Sequence, residues 1–226
     1  MAALNSYVQT LADIIKKMDP DGSIAPVAEL LNQTNECVQD VLWKEGNLPT
    51  GHQLTVRTGL PTVYWRLANQ GIPSSKSTTA QVTEACAVLE SHSVVDKIIA
   101  ELGGNLAANR LDEAVAHIEA MGQEFASTFF YGAASNPEEF IGLAARYSSL
   151  TATNGQNVIS GGGSGSDNAS IYLVGWGNNS IFGIYPKGST AGLEREDEGL
   201  TTVTTSTTLG AAALRAYSEW FHWKWT

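Results

Sequence analysis

Asn105 to Gly132 reads NLAANRLDEAVAHIEAMGQEFASTFFYG. The spacing predicts one long helix. Leu111, Val115, Ile118, Phe125 and Phe129 recur at helical intervals, with Ala114, Met121 and Ala126 beside them. That is one apolar stripe at the helical period. Asn105 or Asn109 suits the cap, Asp112 and Glu113 suit the positive amino end, and Gly132 suits the stop. From Leu106 to Tyr131 such a helix is about 39 Å long at ~1.5 Å per residue. A compact domain of this chain length has a radius of gyration of only about 17 Å. The stretch therefore reads as a spine over 105–131 that carries flatter, extended parts. An ordinary core helix is the plainer alternative.

The extended part lies upstream. Residues 37–92 are rich in Val, Thr, Tyr and Trp, with polar turn residues between the runs. Gln53, Thr55 and Arg57 alternate with Leu54 and Val56; Val63, Trp65 and Leu67 alternate with Tyr64 and Arg66. Ala68 to Ser77, with Gly71 and Pro73, is the turn, and Thr78 to Leu89 is the outgoing strand. Leu54 to Leu67 fully extended would span about 46 Å. A hairpin that long cannot be buried along its length by its own chain, so it should project toward other copies. Gly59 and Pro61 mark a break or bend, and a hairpin folded back there into an ordinary sheet is the alternative.

Residues 1–36 hold two short amphipathic patterns, over 4–18 and 24–35, stopped between them by Asp19-Pro20-Asp21-Gly22. They read as a helical arm that packs on something else, or as a helical hairpin on its own domain. Residues 92–103 lead into the spine. Residues 133–150 form a loop with one helical turn at 137–141. Together 93–152 make the spine-bearing domain. Residues 153–226 form a β-rich region. It opens on a mobile Gly/Ser-rich loop (153–170) and continues with a hairpin pairing Ile171–Val174 with Ile181–Tyr185. Glu194 to Glu198 reads as a charged surface loop. A Thr-rich strand follows, then an aromatic strand in which Tyr217, Phe221, Trp223 and Trp225 alternate with polar residues. So much aromatic surface at the end of the sequence needs partners from elsewhere.

The totals exclude several functions. The chain has 226 residues and a net charge of −10, which argues against a nucleic-acid grip or an anionic membrane surface. Negative charge is compatible with standing next to DNA without sticking to it. No apolar run reaches about 18 residues, so no bilayer span is expected. Cys37 and Cys86, the only cysteines, have no CxxC spacing and read as free thiols. HExxH, Walker A and GxSxG are absent. Glu113 and His117 at i, i+4 are two ligands without a third, and Asp19–Gly22 is an incomplete calcium loop. No catalytic, cofactor or metal residue is expected, and the chain reads as a non-enzyme.

The block Trp43-Lys44-Glu45-Gly46-Asn47-Leu48-Pro49-Thr50-Gly51-His52 is long and specific. With LTVRTGLPTVYWRL (54–67), NQGIPSSKSTTAQVTEAC (69–86), YSSL (147–150) and GSDNASIYLVGWG (165–177), it resembles the major capsid proteins of tailed bacteriophages. The resemblance covers nearly the whole chain. It implies an α+β, HK97-type coat fold with an N-terminal arm, an extended two-stranded loop, a long spine helix on a sheet and a β-rich axial part. It also implies a portion beyond Thr226, since members of that family continue past this point. The order of parts read from the residues matches. The implied function is a coat protein assembling into an icosahedral head around double-stranded DNA, made in the host bacterial cytoplasm and residing in the virion. Its partners would be itself, as hexamers and pentamers, with scaffolding, portal and decoration proteins and non-specifically contacted DNA. Within that reading, Arg57, Trp65, Arg66 and Lys76 are the expected inter-subunit contacts, because aromatic and Arg anchors dominate such interfaces. Two other readings stand beside it: a minor, cement-like virion component, and an enzyme using the glycine loop near Ser164.

Overall fold

The computed structural model describes residues 13, 16, 39–101, 105–152, 154–163, 169–190, 192–207 and 210–223, with side chains left out at 205–207 and 210–213. The two N-terminal helices expected at 4–18 and 24–35 lie outside the described residues, apart from Asp13 and Lys16, which are helical and ion-paired at 3.8 Å. The chain divides into two compact units. The first comprises 1–40, 88–127 and 192–224; the second comprises 41–87, 128–191 and 225–226.

The first unit is built on a three-stranded antiparallel sheet. Its strands are β4 (Leu89–Asp96), β7 (Gly210–Trp223) and β6 (Leu193–Thr207), in the order β4-β7-β6. Leu89, Trp223 and Leu193 stand in register across all three. Strand β4 passes into a single helical turn, α1 (Lys97–Ala100), where the Asp96 carboxylate accepts from the Ile98 N–H at 2.8 Å. The long helix α2 runs Leu106–Tyr131, as its spacing predicts. Asn105 caps it, accepting from the Ala108 N–H at 3.2 Å. Gly132 stops it for a reason other than left-handed backbone: a Cβ there would lie 2.2 Å from the Phe140 carbonyl oxygen.

α2 buries only part of the expected stripe: Phe125 with Ala114, Met121 and Ala126. Leu111, Val115 and Ile118 are 60%, 49% and 40% exposed, whereas Ala114, Met121 and Phe125 are buried. The cause is the shape of β7. Phe221 and Trp223 project toward the helix. Small Ala114 and flexible Met121 pack against Phe221, and Phe125 stacks on Trp223 at 4.9 Å. His117 stacks on Phe221 at 5.5 Å, and its Nδ1 lies 2.5 Å from the Ser91 hydroxyl. Residues 194–198, expected as a loop, belong to β6. Alternation puts Arg195 and Asp197 on the helix side, where Arg195 grips the buried Glu219 at 2.8 and 3.1 Å, and Arg110 reaches both Glu219 and Asp197. The Arg110 hydrogen bond holds the Asp197 carboxyl below its ordinary value.

The second unit has two small sheets. Strand β1 (Trp43–Glu45) pairs in parallel with β5 (Gly183–Tyr185), and β2 (Gly51–Gly59) pairs antiparallel with β3 (Thr78–Ala85). The expected hairpin of 171–174 with 181–185 does not form. Only Trp176 and Ile181 make an isolated bridge. The main chain of β5 is taken by the segment around β1, with the Gly183 N–H on the Leu42 carbonyl (2.9 Å) and the Gly46 N–H on the Tyr185 carbonyl (2.7 Å). Tyr172 turns instead to the Phe130 ring, 5.6 Å away. The helical turn expected at 137–141 is a non-helical turn. The helix comes later, as α3 (Leu143–Arg146).

Candidate functional site

The hairpin of the second unit is the candidate site. Its ladder runs from Gly51 opposite Ala85 to Gly59 opposite Thr78, with a register shift between Arg57 and Gly59. Beyond Gly59 the ladder ends, although alternation extends the strand to Leu67 on paper. Pro61 and Pro73 have no N–H to donate. Residues 60–77 therefore form a long tip held by few bonds. The Ser75 hydroxyl donates to the Thr62 carbonyl at 2.7 Å, and the Gln70 N–H donates to the Leu67 carbonyl at 3.2 Å. Asn69 occupies left-handed backbone at φ 65°, which the turn requires and Asn tolerates.

Every residue from Leu60 to Ala80 is exposed. Trp65 is 104% exposed, Val63 87%, Leu60 79% and Leu67 78%; Tyr64 and Ile72 stand at 49% each. One short segment thus leaves six large apolar side chains in solvent. Scattered surface hydrophobics are ordinary, but a contiguous set of this kind marks an interaction surface.

The base of the hairpin is fixed where the tip is free. Arg146 of α3 makes a two-pronged pair with Glu84 of β3, at 2.7 and 2.6 Å. That hydrogen bonding holds the Glu84 carboxyl below its ordinary value despite partial burial, and raises Arg146. The Asn47 side chain accepts from the Gln53 N–H and donates to the Gln53 carbonyl, both at 2.7 Å. Gly51 allows the close crossing at the root: a Cβ there would meet the Glu84 carbonyl oxygen at 2.1 Å.

All four expected contact residues lie on this hairpin, and all are exposed. Arg57 is on β2 opposite Thr79, Trp65 and Arg66 are on the outgoing limb of the tip, and Lys76 is on the return limb. Their side chains are not brought together. Arg66 alone makes a bond within the tip, to the Gln70 carbonyl at 3.3 Å. Sequence reasoning missed the Arg146–Glu84 anchor, which joins residues 62 positions apart and carries no local signal. It also passed over Leu60, Val63, Leu67 and Ile72, whose apolar character in a turn region was the available sign. Ser164, of the enzyme reading, lies outside the described residues. Among the described residues, no group of His, Cys, Asp and Glu is arranged to hold a metal, and no helix is long and apolar enough to cross a membrane.

Comparison with known proteins gives the family of the chain. Residues 19–225 match the family described as Major capsid protein GP7. A solved structure of bacteriophage Epsilon15 is 31% identical, with a TM-score of 0.71, over 99% of this chain and 67% of that one. More remote similarities are to Mycobacterium phage Bobi (14% identity, TM-score 0.46, 94% of this chain and 91% of that one) and to the capsid of the native GTA particle (12%, 0.43, 97% and 94%). No curated protein sequence matches the chain. The family match over nearly the whole length and the Epsilon15 likeness agree: this chain belongs to the major capsid protein GP7 family, has an HK97-like α+β fold, and is a coat protein of a tailed-phage head.

Proposed function

We propose that the hairpin tip is the arm by which each copy of this coat protein grips another as the head assembles. The observation that carries the reading is the exposure of Leu60, Val63, Trp65 and Leu67 on an element whose root is pinned by Arg146–Glu84 and Asn47. A root held in place spends little ordering free energy when the tip docks. Each large apolar side chain taken from water to full burial contributes about 1.5–3 kcal/mol. Trp65 and Arg66 are the residue types that dominate interface energetics. Copies group as hexamers and pentamers and close into an icosahedral shell around double-stranded DNA. The net charge of −10 keeps contact with that DNA non-specific and weak. Scaffolding, portal and decoration proteins attend assembly in the host bacterial cytoplasm, and the finished protein resides in the virion.

Electron microscopy of the purified chain tests the reading. Uniform closed particles are expected as concentration rises. A folded monomer that stays monomeric at high concentration would count against self-assembly, and a low copy number in isolated virions would point to a cement-like role instead.

A further inference from the structure

Arg146 is fixed at three points. Its guanidinium pairs with Glu84 at the hairpin root, and its Nε donates to the Ile141 carbonyl at 2.9 Å. Its own carbonyl accepts from the Asn154 side-chain amide at 2.7 Å. A carbonyl oxygen only accepts, so the atom that Asn154 turns to it is Nδ2. The residue that anchors the hairpin is thus itself held by an asparagine. The residue after that asparagine is Gly155, which makes the one Asn-Gly pair in the sequence.

Local structure calls for both residues. Gly155 is buried, and a Cβ on it would stand 2.2 Å from the Leu150 carbonyl oxygen, so a side chain there would force the main chain apart. An aspartate at 154 would have no N–H to give the Arg146 carbonyl. Yet Asn-Gly is also the pair in which the main-chain nitrogen attacks the side-chain amide most readily, because glycine has no Cβ to obstruct the approach. In the folded chain both reacting groups are occupied. The Gly155 N–H donates to the Ala152 carbonyl at 2.8 Å, and Nδ2, the group that would leave, is on Arg146. Asn154 is held at φ −94° and ψ 6° at the head of the single 3-10 turn Gly155–Asn157, where its carbonyl accepts from the Asn157 N–H at 3.0 Å. Reaction requires the Gly155 nitrogen to come off Ala152 and the Asn154 side chain to swing back from Arg146 onto it.

We propose that Asn154-Gly155 is a latent modification site: the closed hairpin root protects it, opening of the root lets it deamidate, and the product keeps the root loose. The step needs only water. The Gly155 nitrogen gives up its proton and bonds to Asn154 Cγ; the Cγ–Nδ2 bond breaks, and Nδ2 leaves as ammonia with that proton. Water then opens the resulting cyclic imide at either carbonyl, leaving aspartate or isoaspartate, with no change of oxidation state. Both products replace the donor facing the Arg146 carbonyl by a carboxylate, so acceptor faces acceptor. Isoaspartate also routes the main chain through the side-chain carbon. Arg146 then loses one of its three fixings, and its pair with Glu84, which is partly exposed, is less well held. Neither the step nor its test involves another copy of the chain.

Peptide mapping by mass spectrometry tests it on the full chain held at mildly alkaline pH. Conversion at Asn154 should run at least about tenfold slower in the folded chain than in the same chain kept unfolded in concentrated urea. Deamidation is slow against local opening, so its rate follows the open population. Arg146→Ala keeps the accepting carbonyl but removes the guanidinium, and should speed conversion about fivefold. Glu84→Gln, which leaves Arg146 in place, should act in the same direction. Trp65→Ala, on the tip, should stay within about twofold of the unaltered chain. Melting curves show that each chain folds. Equal rates in the folded and unfolded chains, no acceleration in the two root variants, or an equal rise with Trp65→Ala overturns the proposal. Asn154→Asp tests the product. Amide hydrogen exchange should rise at least about threefold at the root, where the Gln53 N–H donates to Asn47 and the Cys86 N–H to the Thr50 carbonyl. Exchange in α2 and β7 should stay as in the unaltered chain. An unchanged root, or the same acceleration throughout the chain, overturns the proposal.

Discussion

Phe221 and Trp65 are aromatic residues with opposite surroundings: Phe221 is 0% exposed and Trp65 is 104% exposed. In the first unit the aromatic strand is covered by the helix of the same chain, with Ala114 and Met121 against Phe221 and Phe125 on Trp223. In the second unit the hairpin carries a comparable apolar load past the end of its own ladder, and nothing among the described residues covers it. One region completes its burial on folding; the other, on the proposed function, reaches burial only by association. Stability and assembly should therefore respond to different substitutions.

The largest effect falls on the self-covered region. Phe221→Ala removes the ring at the centre of the layer and should cost about 3–5 kcal/mol in a urea melt. A loss under 1 kcal/mol would mean that the sheet–helix layer is not the folding core. Trp65→Ala is the mirror experiment. It should leave the melt unchanged and weaken association by about 2 kcal/mol, read as a rise of more than tenfold in the concentration at which light scattering begins. A matching fall in melting temperature would erase the contrast between the regions.

Smaller effects sharpen the boundary between them. Arg146→Ala loosens the hairpin root and should cost about 1 kcal/mol, since the pair with Glu84 is partly exposed. Its pH dependence has a definite sign. Glu84 titrates below its ordinary value in the folded protein, so the pair contributes fully above the unfolded value of 4.5 and fades as pH falls through the lowered folded one. The stability difference between the unaltered chain and Arg146→Ala should therefore shrink on acidification to about pH 3. The smallest effect is expected at Leu111→Ser, on the exposed row of α2, within about 0.5 kcal/mol. A cost of several kcal/mol there would mean that this row is buried after all.

The existence and bounds of α2 were legible, because a run of that length at helical period has few other readings. Which row it buries was not. Leu111, Val115 and Ile118 lie on one stripe with Phe125, Ala114 and Met121, and of these only the last three are buried. The choice between them is made by Phe221, about a hundred residues downstream. Strand β6 was misread for a related reason. A dense run of charge resembles a solvated loop until Arg110 and Glu219 are known to wait on the inner side. The 171–185 hairpin failed because β5 had a better partner in β1, far back in the chain. At the candidate site, the basic and aromatic residues of the hairpin stood out in sequence, since their exposure follows from the turn residues around them. The Glu84–Arg146 root did not, because it is assembled from segments distant in the chain.

On the proposed function, the tip is dispensable for folding and necessary for assembly. Sedimentation velocity and a thermal melt on the chain with residues 61–76 replaced by Asn-Gly measure both together. An unchanged melt and a slowly sedimenting species are expected under conditions where the intact chain forms large closed particles. Particles of normal size from the shortened chain, or a melt that collapses with the loss of the tip, would contradict it.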